Sequence, residues 1–309
     1  MNLLPHSSLS QPLLPNEPRI ADALQQTLTE RYLLPVLPAL RALLVDLRNL
    51  VDPVLASRLP AIDRRPYPHG QGMAITHALH EMLGDPDAGT LPGPAGEGFA
   101  ALRDFHEHGG SLRQVWGAMN GRHFHHAFLF GTLYADVAAD ATVPGSDKVT
   151  ILPFREARLT PVRDHRHFAL LARSSWQATV YPNHVLPALA PYAPLIMLMP
   201  DGSVRIAPDV AYMSGLALAS GFASSADALH GPAMPPDLFA LLAGTLREAN
   251  IAVAPDAAKG RQEALALCVR YRDGRRQPGD VHHVRALDLL AKAGSLLHAL
   301  HVPAQLQAA

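Results

Sequence analysis

A chain of 309 residues, 48% of them hydrophobic, suffices for one large domain or two modest ones around a sizeable core. Its 26 basic and 27 acidic residues leave a net charge of −1, so no broad positive field exists to hold a nucleic-acid backbone or an anionic bilayer. The single cysteine, Cys268, excludes an internal disulfide and a cysteine-based zinc or iron–sulfur site within one chain.

Residues 1–18 carry four prolines and few apolar anchors, which predicts an extended arm lying on a surface, with 19–309 as one mostly helical globular domain. This start has no basic n-region and no unbroken apolar run, so the expectation is a soluble, cytoplasmic protein. From Arg19, Ile20, Leu24, Leu28 and Tyr32 recur at helical spacing, and Leu40, Leu43, Leu44, Leu47 and Leu50 do so after Pro35 and Pro38. Two core helices joined at a proline bend follow, the second ending at Asp52-Pro53. Gly72–Leu83 reads as a short helix, Gly84–Gly98 as a Gly/Pro/Asp-rich loop, and Phe99–His106 as an amphipathic helix stopped by Gly109-Gly110.

The central stretch, 112–154, brings three histidines in four positions into apolar sequence. It is expected to form a helix around Arg113–Phe130, then strands at Leu133–Val137 and Val149–Phe154 with Pro144 and Gly145 between them. Asp164 is the expected N-cap of a helix to Ser174. Asp201-Gly202, between Leu195–Met199 and Ser203–Ile206, is the strongest hairpin signal. Further helices are predicted over Val210–Ser220, from Pro236 to Asn250, over Gly260–Tyr271 and over Val281–His301, the last capped by Asp280 with Val284, Leu287, Ala291, Gly294 and Leu297 on one face. The sum is a mostly helical α+β fold with a small antiparallel sheet, divisible near residue 155.

Several chemistries lack their signatures. None of the three lysines, Lys148, Lys259 and Lys292, sits in a Walker loop; Gly70-Gln71-Gly72 lacks the third glycine of a dinucleotide fingerprint. There is no Gly-x-Ser-x-Gly elbow, no zincin helix, no Glu-x-x-His pair of a di-iron bundle and no His-x-Asp/Glu start of a facial iron triad.

What remains is an excess of histidine, seventeen against eight glutamates. On a helix His123 and His126 would share a face while His125 points elsewhere, so His126 and His123, with His77, are the acid–base candidates. His77, His80 and Glu81 fall at helical spacing, and imidazole plus carboxylate can bind a transition metal; the metal set proposed from sequence is His77, Glu81 and His126. His80, Glu81 and Trp116 would contact a cofactor, iron or haem, while Tyr134 and Arg122 would face substrate. Asp164, His165, Ser174 and Ser175 permit a Ser–His–Asp relay on paper. Arg270, Arg272, Arg275 and Arg276 form the densest basic cluster, able to dock a carboxylate or phosphate.

These residues predict an enzyme that uses buried histidines on a small molecule, an iron- or haem-dependent oxidoreductase in its sharpest form. The contrasting expectation is a non-catalytic module, metal-free, that binds a ligand or a protein. Expected partners are a small-molecule ligand and a second copy in a homodimer, with neither nucleic acid nor membrane.

Overall fold

Leucines spaced three and four apart before residue 60 build the first layer. The computed structural model describes residues 12–62, 64–84, 91–206 and 210–307. In it α1 (Leu24–Leu28) passes through a π turn (Thr29–Leu33) and a 3-10 turn (Leu34–Val36) into α2 (Leu37–Arg58). Leu40, Leu43, Leu44 and Leu47 are fully buried on α2, as the periodicity requires, whereas Leu50, expected on the same face, is exposed. The helix does not stop at Asp52-Pro53; Pro53 lies inside it. An internal proline costs about 3 kcal/mol, and here it sits beside an ion network that anchors the same turn. Arg48, with no exposed side-chain surface, donates to Asp52 Oδ1 at 2.9 Å, to Asp140 Oδ1 and Oδ2 at 3.1 Å each, and to the Val137 carbonyl. Lys148 Nζ and the Tyr67 hydroxyl donate to Asp52 at 2.6 Å each. Burial pushes the Asp52 carboxyl up, but the hydrogen bonds from Arg48, Lys148 and Tyr67 outweigh it and hold it below the usual carboxylate value.

Helix α3 (Gly72–Leu83) has the predicted bounds. The loop expected over Gly84–Gly98 falls partly on 85–90, outside the described residues, and is otherwise cut short because α4 (Pro94–Glu107) begins with Pro94 at its first position. Helices α2 and α4 cross closely at Gly98, where a Cβ would stand 2.4 Å from the Ala39 carbonyl oxygen.

The predicted helix over Arg113–Phe130 is a hairpin of β1 (Leu112–Met119) and β2 (His123–Phe130). Asn120 and Gly121 reverse the chain at φ 51° and 66°, and the Arg122 N–H bonds the Met119 carbonyl at 3.0 Å. Phe124, Phe128 and Phe130 recur at even spacing along β2, with Trp116 opposite them on β1, which a pleated ladder accommodates better than a helix. β3 (Leu133–Asp136), β4 (Thr150–Pro153) and β5 (Leu159–Thr160) complete a curled antiparallel sheet in the order β4-β3-β2-β1-β5, with a short helix α5 (Ala139–Thr142) between β3 and β4.

The second half begins with α6 (His165–Trp176), capped by Asp164, whose Oδ1 accepts the His167 N–H at 2.7 Å. Strands β6 (Thr179–Pro182), β7 (Leu195–Leu198) and β8 (Val204–Ile206) form a small antiparallel sheet, turned at Asp201-Gly202 as expected. Helices α7 (Val210–Ala219), α8 (Ala223–Leu229), α9 (Pro236–Glu248), α10 (Ala257–Asp273), α11 (Val281–Ala299) and α12 (Ala304–Gln307) follow. Asp256 caps α10, so that helix starts before Gly260. Asp280 caps α11 through the His282 and His283 N–H groups. The face α11 buries is Ala286, Leu290, Ala293 and Leu297, leaving Val284 and Ala291 exposed, because packing centres the stripe one position off the sequence estimate.

Among the described residues helix accounts for 52% and strand for 14%, a mixed α+β fold, mostly helical. One core gathers the later helices with Trp116 and Ala118; a second gathers α2, α3 and α4 with Phe128 and Phe130. Of the proline-rich arm, residues 1–11 lie outside the described residues. Residues 12–18 are tied down: the Trp116 N–H bonds the Asn16 carbonyl at 3.0 Å, Arg113 donates to the Glu17 carbonyl, and Pro18 is buried. Among the described residues no helix is long and apolar enough to cross a membrane.

Candidate functional site

Because β2 is a strand, its histidines sort by a period of two. His123 and His125 share one face with Val115, Ala127, Leu129, Tyr134 and Asp136; Phe124, His126, Phe128 and Phe130 take the other with Leu112 and Trp116. The pairing of His123 with His126 therefore fails, and the histidine with the most specific partner is His125. His125 Nε2 donates to Asp136 Oδ2 at 2.8 Å, and both side chains are about nine-tenths buried. The same carboxylate accepts the Tyr134 hydroxyl at 3.3 Å and the Ala138 N–H at 2.9 Å. Burial, then the Asp136 charge, holds the Tyr134 phenol far above its usual range, so this substrate-facing candidate is a donor to Asp136. His123, half-buried at the hairpin start, meets His125 edge-on with ring centroids 6.5 Å apart. Arg122 is exposed in the turn, its carbonyl accepting the Ser174 hydroxyl.

On the opposite face His126 is half-buried, its ring 6.4 Å from Trp116. Trp116 packs also against Phe124, Phe168 and Tyr212, so it joins β1 to the later helices as core. Burial first, then the charges of His125 and His77, push His126 down to about 4. His77 thus lies within electrostatic reach of His126, but it is exposed on α3, as are His80 and Glu81. Among the described residues no three His, Cys, Asp or Glu side chains gather to hold a metal ion, so His77, Glu81 and His126 are not assembled as ligands. The paper relay is likewise dispersed. Asp164 caps α6, the Ser175 hydroxyl accepts the Phe124 N–H, and His165 Nδ1 pairs with Ser224 Oγ at 2.7 Å in a fully buried contact. In the basic cluster Arg272 donates to the Gly221 carbonyl and Arg276 lies over the Tyr271 ring.

His126 and His165, both pushed by burial to about 4, carry a pH prediction. Below the ordinary imidazole value of 6.5 the unfolded chain binds protons these two groups refuse when folded, so stability is full above that pH and is lost as pH falls toward 4. Urea midpoints are expected to fall between about pH 7 and pH 5, and His126→Phe should make the fall shallower; an unchanged slope counts against this assignment.

A hollow of about 570 Å³ opens where three elements meet. Helix α4 presents Phe99, Leu102, Arg103 and His106, spaced along one face; α3 presents His80, Leu83 and Gly84; the sheet presents Leu112, Phe128 and Phe130, with Arg113 at the border. The Phe128 and Phe130 rings stack with centroids 5.4 Å apart, and His80 lies 6.3 Å from Phe128. The wall is apolar, the border carries two arginines and two histidines, and among the described residues no carboxylate lines it. Neither His77 nor His126 does either. No family model, no characterised protein and no solved structure matches the chain.

Proposed function

We propose that this chain binds a small organic molecule, with the apolar body of the ligand seated between α3, α4 and the β1–β2 hairpin. One observation carries the reading. The hollow falls within the roughly 300–1,000 Å³ of small-molecule sites and is walled by three phenylalanines and three leucines under a polar border. Leu83, Phe99 and Leu112 are half-buried at its mouth, and the almost fully buried Leu102, Phe128 and Phe130 form the packed floor behind them.

Filling the hollow tests this. Leu102→Trp is expected to weaken an apolar fluorescent probe by about tenfold or more, read by fluorescence titration, while far-UV circular dichroism is unchanged. Equal binding by the parent and by a folded Leu102→Trp variant would remove the hollow as the site.

A second reading keeps acid–base chemistry, supported by the His125–Asp136 pair. Asp136 fixes the proton on Nε2, and among the described residues Nδ1 has no hydrogen-bond partner, the arrangement of a general base. The pair lies on the sheet face away from Phe128 and Phe130, so the two readings separate. A turnover belonging to it should vanish in His125→Gln and survive Leu102→Trp.

A further inference from the structure

The binding reading says where a ligand sits, and the border of the hollow says which head group it carries. We infer that the ligand is a monocarboxylic acid, its apolar body against Phe99, Leu83 and Leu112 and its carboxylate at Arg103. This inference rests on the hollow being a ligand site.

Among the described residues four basic side chains and no acidic one line the hollow, so at that rim an ammonium group would meet like charge and an anion would meet opposite charge. The two arginines play different parts. Arg113 Nη1 donates to the Glu17 carbonyl at 3.0 Å and Nη2 to the Arg19 carbonyl, so its guanidinium already secures the segment before α1. Arg103 is 60% exposed, and its ionic contacts, Asp104 at 3.8 Å and Glu107 at 3.7 Å, are long. Exposed pairs of that kind are worth less than about 1 kcal/mol, so little holds the guanidinium away from a planar carboxylate, which it can grip through two parallel N–H donors.

His106, one turn further along α4, completes the head-group site. Its Nδ1 is 3.2 Å from the Gly110 carbonyl, which can only accept, so Nδ1 carries a proton and Nε2 donates to a carboxylate only in the imidazolium form, which the anion itself favours. His80, from α3, faces the same space over Phe128. One guanidinium available for pairing matches one carboxylate. The body is then selected by the wall, aromatic or aliphatic, and the remainder of the molecule stays on the α3–α4 side of the sheet.

Isothermal titration of the full chain with octanoate, phenylacetate and octanol tests the inference. Octanoate or phenylacetate is expected to bind about tenfold or more tighter than octanol, and the stronger of the two acids identifies the body. Arg103→Gln, at an exposed position, should abolish that preference and leave octanol affinity unchanged. Should octanol bind as tightly as the acids, or should Arg103→Gln keep the preference, the carboxylate assignment is overturned while the hollow remains a ligand site. Should none of the three bind, both readings are overturned together.

Discussion

Replacing Arg48 by alanine is expected to lower the unfolding free energy by about 3–5 kcal/mol, the largest effect of any single polar substitution considered. The side chain has no exposed surface and satisfies two carboxylates and one carbonyl. Its removal strands Asp52 and Asp140 in a region too apolar to hydrate them well, and Lys148 and Tyr67 then compensate Asp52 alone. Equilibrium urea unfolding measures the loss. The double variant Arg48→Met with Asp140→Leu, which removes charge in balance, should recover part of it, because much of the penalty comes from the abandoned partner. The network also sets an acid limit. Since Asp52 is held below its unfolded value, its contribution is complete above about pH 4 and is lost as pH falls through the folded value. An Arg48→Ala chain as stable as the parent would show that the network is incidental to the fold.

Asp136→Ala comes second, with an expected loss of about 2–4 kcal/mol. Three donors converge on that carboxylate: His125 Nε2, the Tyr134 hydroxyl and the Ala138 N–H. All three are left without an acceptor among buried side chains. Asp136→Asn keeps an acceptor oxygen but adds an NH2 that faces donors, so it should fall between parent and alanine. The measurement is the unfolding midpoint, with near-UV circular dichroism reporting on Tyr134 packing. If alanine and asparagine cost equally little, the His125 contact is peripheral and the acid–base reading loses its support as well.

The hairpin of β1 and β2 shows how much of the fold is legible in the residues. Asn120-Gly121 ahead of the evenly spaced Phe124, Phe128 and Phe130 is a strong reversal signal, one that favours two strands over the expected helix. That single change of period moves His125 to the face of Asp136 and separates His123 from His126, so the error in the element became an error in the site. Arg48 was also visible in part. It stands beside the buried leucines of α2 with Asp52 one turn on, a pattern that signals a buried charge with a helical partner. Its other acceptors, Val137 and Asp140, are 89 and 92 residues away, and nothing local marks them.

What the residues by themselves determined are features decided within about one helical turn. These are the caps Asp164 and Asp280, the helix opening at Pro236, the Asp201-Gly202 hairpin, and the mostly helical α+β class. Each depends on hydrogen bonds or φ preferences that close between near neighbours, so the sequence contains both partners at once. Only the tertiary structure decided which sheet face each histidine occupies, that Asp136 meets His125, and that α3, α4 and Phe128 leave a hollow between them. Those features are sums of contacts between segments far apart in the chain, and their geometry exists only once the packing has chosen which surfaces meet.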